Sequence, residues 1–138
     1  VVKFDGQKQE VKLQRWQGIS ESAAKQSKRI VVPKLHPVMK FSEALKYAEN
    51  LDVRLMPYEL AENMQYTRKI LGEIQPGHSI GIFIGPEGGV APEEVEAALQ
   101  SQVQSITLGK RILRTETAGI TVLSILMFLM EDKKTVER

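Results

Sequence analysis

Apolar residues recur along the chain with two periods, one typical of helices and one typical of strands. In the segment that begins at Glu10, Leu13, Trp16 and Ile19 recur every third residue with Lys and Arg between them, which predicts an amphipathic helix. Short apolar or β-branched runs predict strands. The predicted helices are Glu10–Ile30, Ser42–Asn50, Glu62–Leu71, a helix that begins at Pro92, and Thr117–Met130; the predicted strands are Ile30–Pro33, Val53–Glu59, Ser79–Ile84 and Ser105–Leu108.

The order of these elements predicts the fold class. Strands that alternate with helices form a mostly parallel sheet with helices on both faces, so we expect an α/β domain over residues 1–138. The pattern opens on a helix, whereas an α/β domain normally supplies a strand first. The chain also begins at Val1 rather than at Met, and we therefore expect it to be part of a longer protein.

The last predicted helix is apolar on nearly every side. Nine of the eleven residues from Ile120 to Met130 are apolar, and a helix without a polar face is buried all round. Because the sheet of one domain covers only one side of a helix, we expect a subunit interface here. The segment is too short to span a bilayer, so we expect no membrane association and a cytoplasmic protein.

Composition and charge narrow the possible chemistry. The chain has no cysteine and two histidines, which excludes disulfides and leaves too few ligands for a histidine-only metal site. Residues 1–40 carry nine Lys or Arg against three Asp or Glu, a net of +6, whereas the remainder carries a net of −4. A basic first third points weakly to a polyanion such as RNA, and a solvated basic helix face explains it equally well.

The sequence IGPEGG, Ile84 to Gly89, follows a predicted strand and precedes a predicted helix. We call it the glycine loop. Glycine loops at this place often cradle phosphate, but this loop has no Lys-Ser/Thr ending and its acid, Glu87, would repel a phosphate. A bare backbone suits a neutral heterocycle, and a carboxylate suits a cation, as in S-adenosylmethionine. A tight turn without a ligand is the third interpretation.

A second sequence, LGKRILRTETAG, covers Leu108 to Gly119, and we call it the arginine segment. Arg111 and Arg114 lie three residues apart, so both can face one way and bind phosphate or polarised carbonyl oxygens with their guanidinium groups. The alternative for these arginines is an exposed ion pair with Glu116 or Glu87. For Thr115 and Thr117 the alternative is helix capping.

The glycine loop followed by LGKRILRTETA resembles the RsmE family, the small-subunit ribosomal RNA uridine N3-methyltransferases of the SPOUT superfamily. The segment AAKQSKR, Ala23 to Arg29, also resembles the family pattern A-x-x-Q-[SC]-x-R, and the resemblance covers about Val11 to Met130. It departs from the family at Val90 and Ala91, where Phe-Ser is common. The family's RNA-binding β-barrel domain and the opening strand and helix of its methyltransferase domain are not visible in this sequence.

The resemblance implies a C-terminal trefoil knot, S-adenosylmethionine as cofactor, ribosomal RNA or the small ribosomal subunit as partner, a homodimer through the last helix and knot, and no metal. It implies Arg114 and Glu116 as catalytic residues and Arg29 and Arg111 as RNA-binding residues. The implied cofactor-binding residues are Leu55, Pro57, Glu59, Ile84, Gly85, Pro86, Glu87, Gly88, Gly89, Leu108, Gly109, Ile112, Leu113 and Thr117.

The implied reaction transfers a methyl group to N3 of a uridine in 16S ribosomal RNA. Arg114 or Arg111 could stabilise negative charge on the base oxygens. Glu116 is a candidate base, although an ion pair with an arginine would weaken that role, and its alternative role is to orient Arg114 or cap the helix. Two other functions stay open, a SPOUT enzyme that methylates ribose hydroxyls and a non-catalytic RNA-binding or dimerisation module.

Overall fold

The computed structural model describes residues 6–61 and 63–132 of the chain. The chain divides into two compact units, with the boundary between Lys40 and Phe41. The first unit contains α1 (Gly6–Gln26); the second contains α2 (Phe41–Tyr47), a 3-10 helix (Ala48–Asn50), β1 (Val53–Pro57), α3 (Met64–Glu73), β2 (Ile80–Ile82), α4 (Pro92–Gln100), β3 (Gln104–Ile106) and α5 (Thr115–Asp132).

Helix α1 ends four residues earlier than its periodicity predicts. Lys28 adopts a left-handed conformation with φ 58°, and the backbone N–H of Arg29 donates to the carbonyl of Ala24 at 2.9 Å. This bond and the bond from Lys28 N to Lys25 O at 3.2 Å form a Schellman motif, which reverses the chain and stops the helix.

The predicted strand Ile30–Pro33 is wrong, because no residue of this run belongs to a strand and Ile30 is 99% exposed. The run is instead held by side chains of α1. The Nε2 of Gln17 donates to the carbonyl of Pro33 at 3.2 Å, while its Oε1 accepts from the backbone N–H of Leu35 at 2.8 Å. β propensity depends strongly on context, so β-branched residue types alone do not establish a strand.

The second unit is built on a parallel three-stranded sheet in the order β2-β1-β3. Leu55 of the central strand pairs with Ile82 on one side and with Gln104 on the other. Backbone bonds from Phe83 N to Leu55 O at 2.9 Å and from Tyr58 N to Ile106 O at 3.0 Å extend the pairing beyond the strands. The carboxyl ends of all three strands therefore meet at one edge of the sheet.

Apolar side chains fill both faces of this sheet. On one face, Leu55 packs with residues of α3 and α5, among them Ile70 and Val122. On the other face, Met56 packs with Leu45 of α2 and with α4. Successive residues of a strand point to opposite faces, so β1 contributes to both clusters. The predicted α/β class, with a parallel sheet between helices, is confirmed; the trefoil knot stays a prediction.

At the amino ends of the strands, Asp52 and Ser79 join the beginnings of β1 and β2. The backbone N–H and the hydroxyl of Ser79 donate to Oδ2 of Asp52 at 2.8 and 3.0 Å. The backbone N–H of Asp52 donates in return to the Ser79 hydroxyl at 2.9 Å. We call this reciprocal pair the Asp52–Ser79 clasp.

The observed bounds of α3 differ from the predicted ones at both ends, whereas the start of α4 agrees. Helix α3 begins after Asn63, whose side chain accepts from the backbone N–H of Tyr66 at 3.0 Å; the predicted start, Glu62, lies outside the described residues. Gly72 lies within α3 rather than stopping it. Pro92 is the first residue of α4, as predicted.

Helix α5 is buried on one side only. Val122 and Leu126 are buried in the core, whereas Phe128 is 72% exposed. The same exposed side carries Ile120, Leu123 and Met127. Within this chain the helix is therefore not buried all round, and the sheet leaves an apolar surface open. We call these four exposed residues the α5 surface.

Candidate functional site

A cavity of about 430 Å³ lies where the carboxyl ends of the strands meet. Ligands of open α/β sheets bind at this edge, beyond the strands, and the volume lies in the range of about 300–1,000 Å³ that small-molecule sites occupy. Three chain segments supply its lining: Pro57, Tyr58 and Glu59; Ile84, Gly85, Pro86, Glu87, Gly89 and Val90; Ile112, Leu113, Arg114, Thr115 and Ala118.

Two glycines of the glycine loop are required by its geometry. At Gly85 a Cβ atom would lie 2.5 Å from Cγ2 of Val90, so only glycine allows Val90 to pack against the loop. Gly89 has φ +84°, which side chains with a Cβ rarely adopt, and its N–H donates to the carbonyl of Pro86 at 2.9 Å. The loop is a tight turn that presents main chain to the cavity.

The first residue of α5 is tied to the glycine loop. The hydroxyl of Thr115 donates to the carbonyl of Gly85 at 3.1 Å, and we call this bond the Thr115–Gly85 contact. Among the described residues, the hydroxyl of Thr115 makes this bond to another loop and accepts no capping bond from the first turn of α5. The backbone carbonyl of Arg114 accepts from Ala118 N at 2.8 Å, so Arg114 precedes the first turn of α5.

Two threonines hold the backbone at the start of the arginine segment, just after β3. Thr67 of α3 is buried, and its Oγ1 accepts from the backbone N–H of Thr107 at 3.0 Å. The hydroxyl of Thr107 in turn accepts from Gly109 N at 3.1 Å, and Gly109 has φ +113°. Helix α3 thereby holds the point at which the chain leaves β3.

The two arginines of the arginine segment have different surroundings. Arg114 lines the 430 Å³ cavity. Arg111 lines a smaller cavity of about 90 Å³, together with Leu108 and Gly109. Both arginines are exposed, and among the described residues no ion pair joins either of them to Glu87. Glu87 is exposed and lines the cavity instead.

Most of the predicted cofactor-binding residues are brought together, and some are not. The larger cavity is lined by nine of them: Pro57, Glu59, Ile84, Gly85, Pro86, Glu87, Gly89, Ile112 and Leu113. The smaller cavity adds Leu108 and Gly109. Neither lining includes Leu55, Gly88, Glu116 or Thr117.

The residues outside both linings have other positions. Leu55 is fully buried, so its side chain belongs to the core. Glu116 and Thr117 are exposed in the first turn of α5, where an acidic side chain favours the positive end of the helix dipole. Arg29 lies in the first unit and is exposed.

Four cavity residues were not predicted from the sequence, namely Tyr58, Val90, Thr115 and Ala118. Tyr58 stands between two residues that were predicted, and Ala118 lies one turn after Arg114. The close approach of Val90 to Gly85 has no signal in sequence order. Thr115 could be found only from the structure, because its partner is a backbone carbonyl 30 residues away.

A larger cavity, of about 580 Å³, lies at the opposite edge of the sheet, where β1 and β3 begin. Its lining includes Asp52, Arg54, Glu73 and Gln104 and none of the residues predicted to bind a ligand. Parallel α/β sheets bind ligands at the carboxyl edge, so the 430 Å³ cavity is the candidate site.

Comparison with known proteins identifies the family. A family profile described as "RNA methyltransferase domain" matches residues 1–127. The chain belongs to the RNA methyltransferase domain family. The cavity at the carboxyl edge therefore lies in a methyltransferase domain, as the resemblance of the glycine loop and the arginine segment implied.

Relatives with a curated name agree with this family. The chain is 42% identical over 115 residues to a "Ribosomal RNA small subunit methyltransferase E" of Mesomycoplasma hyopneumoniae, covering 83% of this chain and 48% of that protein. It is 35% identical over 134 residues to the protein of the same name in Bacillus subtilis, covering 95% and 52%. The chain thus spans about half the length of these relatives.

A solved structure supports the fold. The chain superposes on a crystal structure of a ribosomal RNA small subunit methyltransferase E from Neisseria gonorrhoeae with a TM-score of 0.75 and 36% identity, covering 89% of this chain and 50% of that one. That protein is bound to S-adenosyl methionine.

In the described part of this chain, no three acidic or histidine side chains form a group able to hold a metal. None of the described helices has the length and hydropathy needed to cross a bilayer.

Proposed function

We propose that this chain is the catalytic part of an S-adenosylmethionine-dependent methyltransferase that acts on N3 of a uridine in small-subunit (16S) ribosomal RNA. The observation that carries the proposal is the single cavity formed by the glycine loop, the arginine segment and the turn after β1. Relatives named for this activity and a similar structure with bound S-adenosyl methionine add support.

The residues that line the cavity fit this cofactor. The glycine loop contributes Gly85, Glu87 and Gly89 to the lining, and main-chain N–H and C=O groups of such a loop would suit the edge of an adenine ring. Ile84, Ile112 and Leu113 supply apolar surface for its faces. Glu59 and Glu87 both line the cavity and are exposed. Their carboxylates complement the positive charge of a sulfonium. The bound cofactor would supply a methyl group that is already activated.

Arg114 is the cavity residue best suited to act on the RNA base. It lies immediately before α5 at the rim of the cavity, and its guanidinium has five N–H donors and a permanent charge. Uracil N3 carries a proton, and its loss places negative charge on the two neighbouring base oxygens. Arg114 would bind these oxygens and stabilise that charge as it develops.

Glu116 is less suited to be the base that removes this proton. Its side chain is exposed and lines neither cavity. Its place in the first turn of α5, at the positive end of the helix dipole, favours a role at the helix terminus over proton abstraction. We propose that the N3 proton leaves to solvent or to a group of the RNA, and that Arg114 lowers the barrier for this step.

RNA binding and dimerisation complete the proposal. Arg29 in the first unit and Arg111 beside the cavity would bind phosphates, with the net charge of +6 over residues 1–40 attracting the RNA. The α5 surface would form the interface of a homodimer, next to the trefoil knot that the family resemblance implies. A ribosomal substrate would place the protein in the cytoplasm, where ribosomes assemble.

The deciding experiment maps methylated nucleotides after 16S ribosomal RNA, or the small subunit, is incubated with the protein and labelled cofactor. A new 3-methyluridine at one position supports the proposal. Label on a ribose hydroxyl would support the alternative ribose methyltransferase instead. Calorimetry of the cofactor with the protein separates a third case, because a non-catalytic RNA-binding module would bind RNA without S-adenosylmethionine.

A further inference from the structure

The Thr115–Gly85 contact links α5 to the glycine loop, and the proposed reaction assigns no role to this hydrogen bond. It spans 30 residues and joins the first residue of α5 to the glycine loop at 3.1 Å. Among the residues that the structure describes, no other hydrogen bond joins the glycine loop to the arginine segment. Both residues also line the 430 Å³ cavity.

The two ends of this contact are fixed by their own surroundings. Gly85 is packed against Val90, since a Cβ at Gly85 would lie 2.5 Å from Cγ2 of Val90. Thr115 follows Arg114, whose carbonyl accepts the first hydrogen bond of α5 from Ala118. The contact therefore sets the distance between the loop that would hold the cofactor and the helix terminus that carries Arg114.

The contact does not serve the helix itself. A threonine that caps a helix accepts a bond from a backbone N–H of the first turn, whereas the Thr115 hydroxyl donates to a carbonyl outside α5. The carbonyl of Gly85 gains a partner that the sheet does not supply, because β2 ends at Ile82. A half-buried carbonyl without a hydrogen-bond partner is unfavourable. The Thr115 hydroxyl supplies that partner for Gly85.

We propose that Thr115 is a positioning residue for methyl transfer, whose hydroxyl holds the glycine loop and Arg114 in one relative placement. The inference rests on the proposed function, since it assigns the cofactor to the loop and the base to Arg114. Reacting groups must lie within a few tenths of an ångström of their productive distance, and a displacement of about 1 Å can cost about 100-fold in rate.

The test compares two substitutions of the same residue with one control. Thr115→Val keeps the branched shape and removes the donor, while Thr115→Ser keeps the hydroxyl. Thr121→Val makes the same chemical change on α5, at a residue that lines neither cavity. Hydrogen exchange of the glycine-loop amides is measured without cofactor, cofactor affinity by calorimetry, and kcat and KM on 16S ribosomal RNA.

Thr115→Val should speed exchange at Gly89, whose amide is bonded to Pro86. It should also weaken cofactor binding about tenfold, as loss of one partly buried hydrogen bond does, and lower kcat at least tenfold with KM for RNA unchanged. Thr115→Ser should restore most of each value, and Thr121→Val should resemble the wild type. A residue with only a structural role would change thermal stability without this split between kcat and KM.

Three results would overturn the inference, and they differ from failure of the proposed function. Unchanged exchange in Thr115→Val would mean that the hydroxyl does not hold the loop. Faster exchange with wild-type kcat would mean that the placement does not matter for catalysis. If Thr115→Ser did not restore these values, the hydroxyl would not be the cause of the effects of Thr115→Val. A wild-type protein that binds no cofactor would refute the proposed function, whereas the exchange data would still decide whether Thr115 holds the loop.

Discussion

Arg114 stands at a position that helix stability does not explain. It immediately precedes the first turn of α5, where the positive end of the helix dipole disfavours a cation by about 0.3–1 kcal/mol. Its side chain lines the cavity and is exposed. A residue that is unfavourable for the helix but faces a candidate ligand site is better explained by function than by folding.

We expect Arg114→Gln to lower kcat for uridine methylation by about 10²–10³-fold, the range typical of losing one group that stabilises developing charge. Thermal stability should stay equal or rise slightly, because the unfavourable charge is removed. Arg68→Gln, at an exposed arginine of α3, is the control and should leave kcat unchanged. Wild-type kcat in Arg114→Gln would refute the assigned role.

The glycines of the loop allow a matched comparison at single positions. Gly85→Ala places a Cβ 2.5 Å from Val90 Cγ2, whereas Gly88→Ala meets no atom within 4 Å. Overpacking of this kind costs about 1–3 kcal/mol. We therefore expect Gly85→Ala to lower the free energy of unfolding and to weaken cofactor binding in calorimetry, with Gly88→Ala close to wild type.

A second substitution tests whether the clash is the cause. Val90→Ala removes the atom that the new Cβ would meet, so it should recover much of the stability lost in Gly85→Ala. The coupling between the two changes is read from a double-mutant cycle. Additive effects would show that Gly85 is needed for another reason.

At the level of single residues, the sequence located the cavity well but not the contacts within it. Pro57, Glu59 and most of the glycine loop could be predicted because motif residues adjacent in sequence line the same edge of the sheet. The approach of Val90 to Gly85 and the bond from Thr115 depend on how separate loops pack. No pattern of residue types encodes such distances.

Helix α4 shows how one substitution in a motif affects an element. Its N-cap is Ala91, which has an extended backbone with φ −62° and ψ 145° and no oxygen to accept a bond. Only half of a capping box is present. Oε1 of Glu94 accepts from Ala91 N at 3.4 Å, but an alanine side chain cannot accept the reciprocal bond from the backbone N–H of Glu94.

We expect Ala91→Ser to raise the free energy of unfolding by about 1 kcal/mol, since its backbone already has the N-cap geometry. Chemical denaturation measures the change. Ala97→Ser introduces the same hydroxyl inside α4, where serine is unfavourable, and should lower stability instead. Equal effects of the two substitutions would mean that the gain does not come from capping.

Elements whose ends depend on tertiary partners were the ones that the sequence predicted least well. The β-branched run after α1 is predicted as a strand from residue type alone, but none of its residues belongs to a strand and Gln17 holds it instead. By contrast, Pro92 began a helix as predicted, because proline fits the first helical position without any partner.

For the whole molecule, the α5 surface is the feature that bears on assembly. Ile120, Leu123, Met127 and Phe128 are each more than half exposed, and this surface is the one that we propose forms the homodimer interface. The periodicity of the sequence could indicate that the helix lacks a polar face, but not which side the core leaves open.

We expect the protein to sediment at twice the mass of one chain at micromolar concentration, as the proposed homodimer requires. Phe128→Arg should shift it to monomer, because an arginine would be desolvated in the interface. Leu99→Arg changes a similarly exposed residue of α4 and should remain dimeric. A wild-type monomer, or a dimeric Phe128→Arg, would exclude this interface.

The Asp52–Ser79 clasp has a consequence for the response of the protein to acid. The backbone N–H of Ser79, then its hydroxyl, and more weakly the charge of His78, hold the pKa of the Asp52 carboxyl below its ordinary value of 3.8. Folding therefore favours the ionised form, and this contribution is complete above pH 3.8 and is lost as pH falls through the lower, folded-state pKa.

Proton uptake at one end of the sheet should thus loosen the junction of β1 and β2 while the cavity edge keeps its own hydrogen bonds. In thermal melts between pH 7 and pH 2.5, Asp52→Asn should be less stable than wild type at neutral pH and should approach it in acid. Glu43→Gln, at an exposed residue of α2, provides the comparison. A constant difference across this range would mean that Asp52 takes no part in acid unfolding.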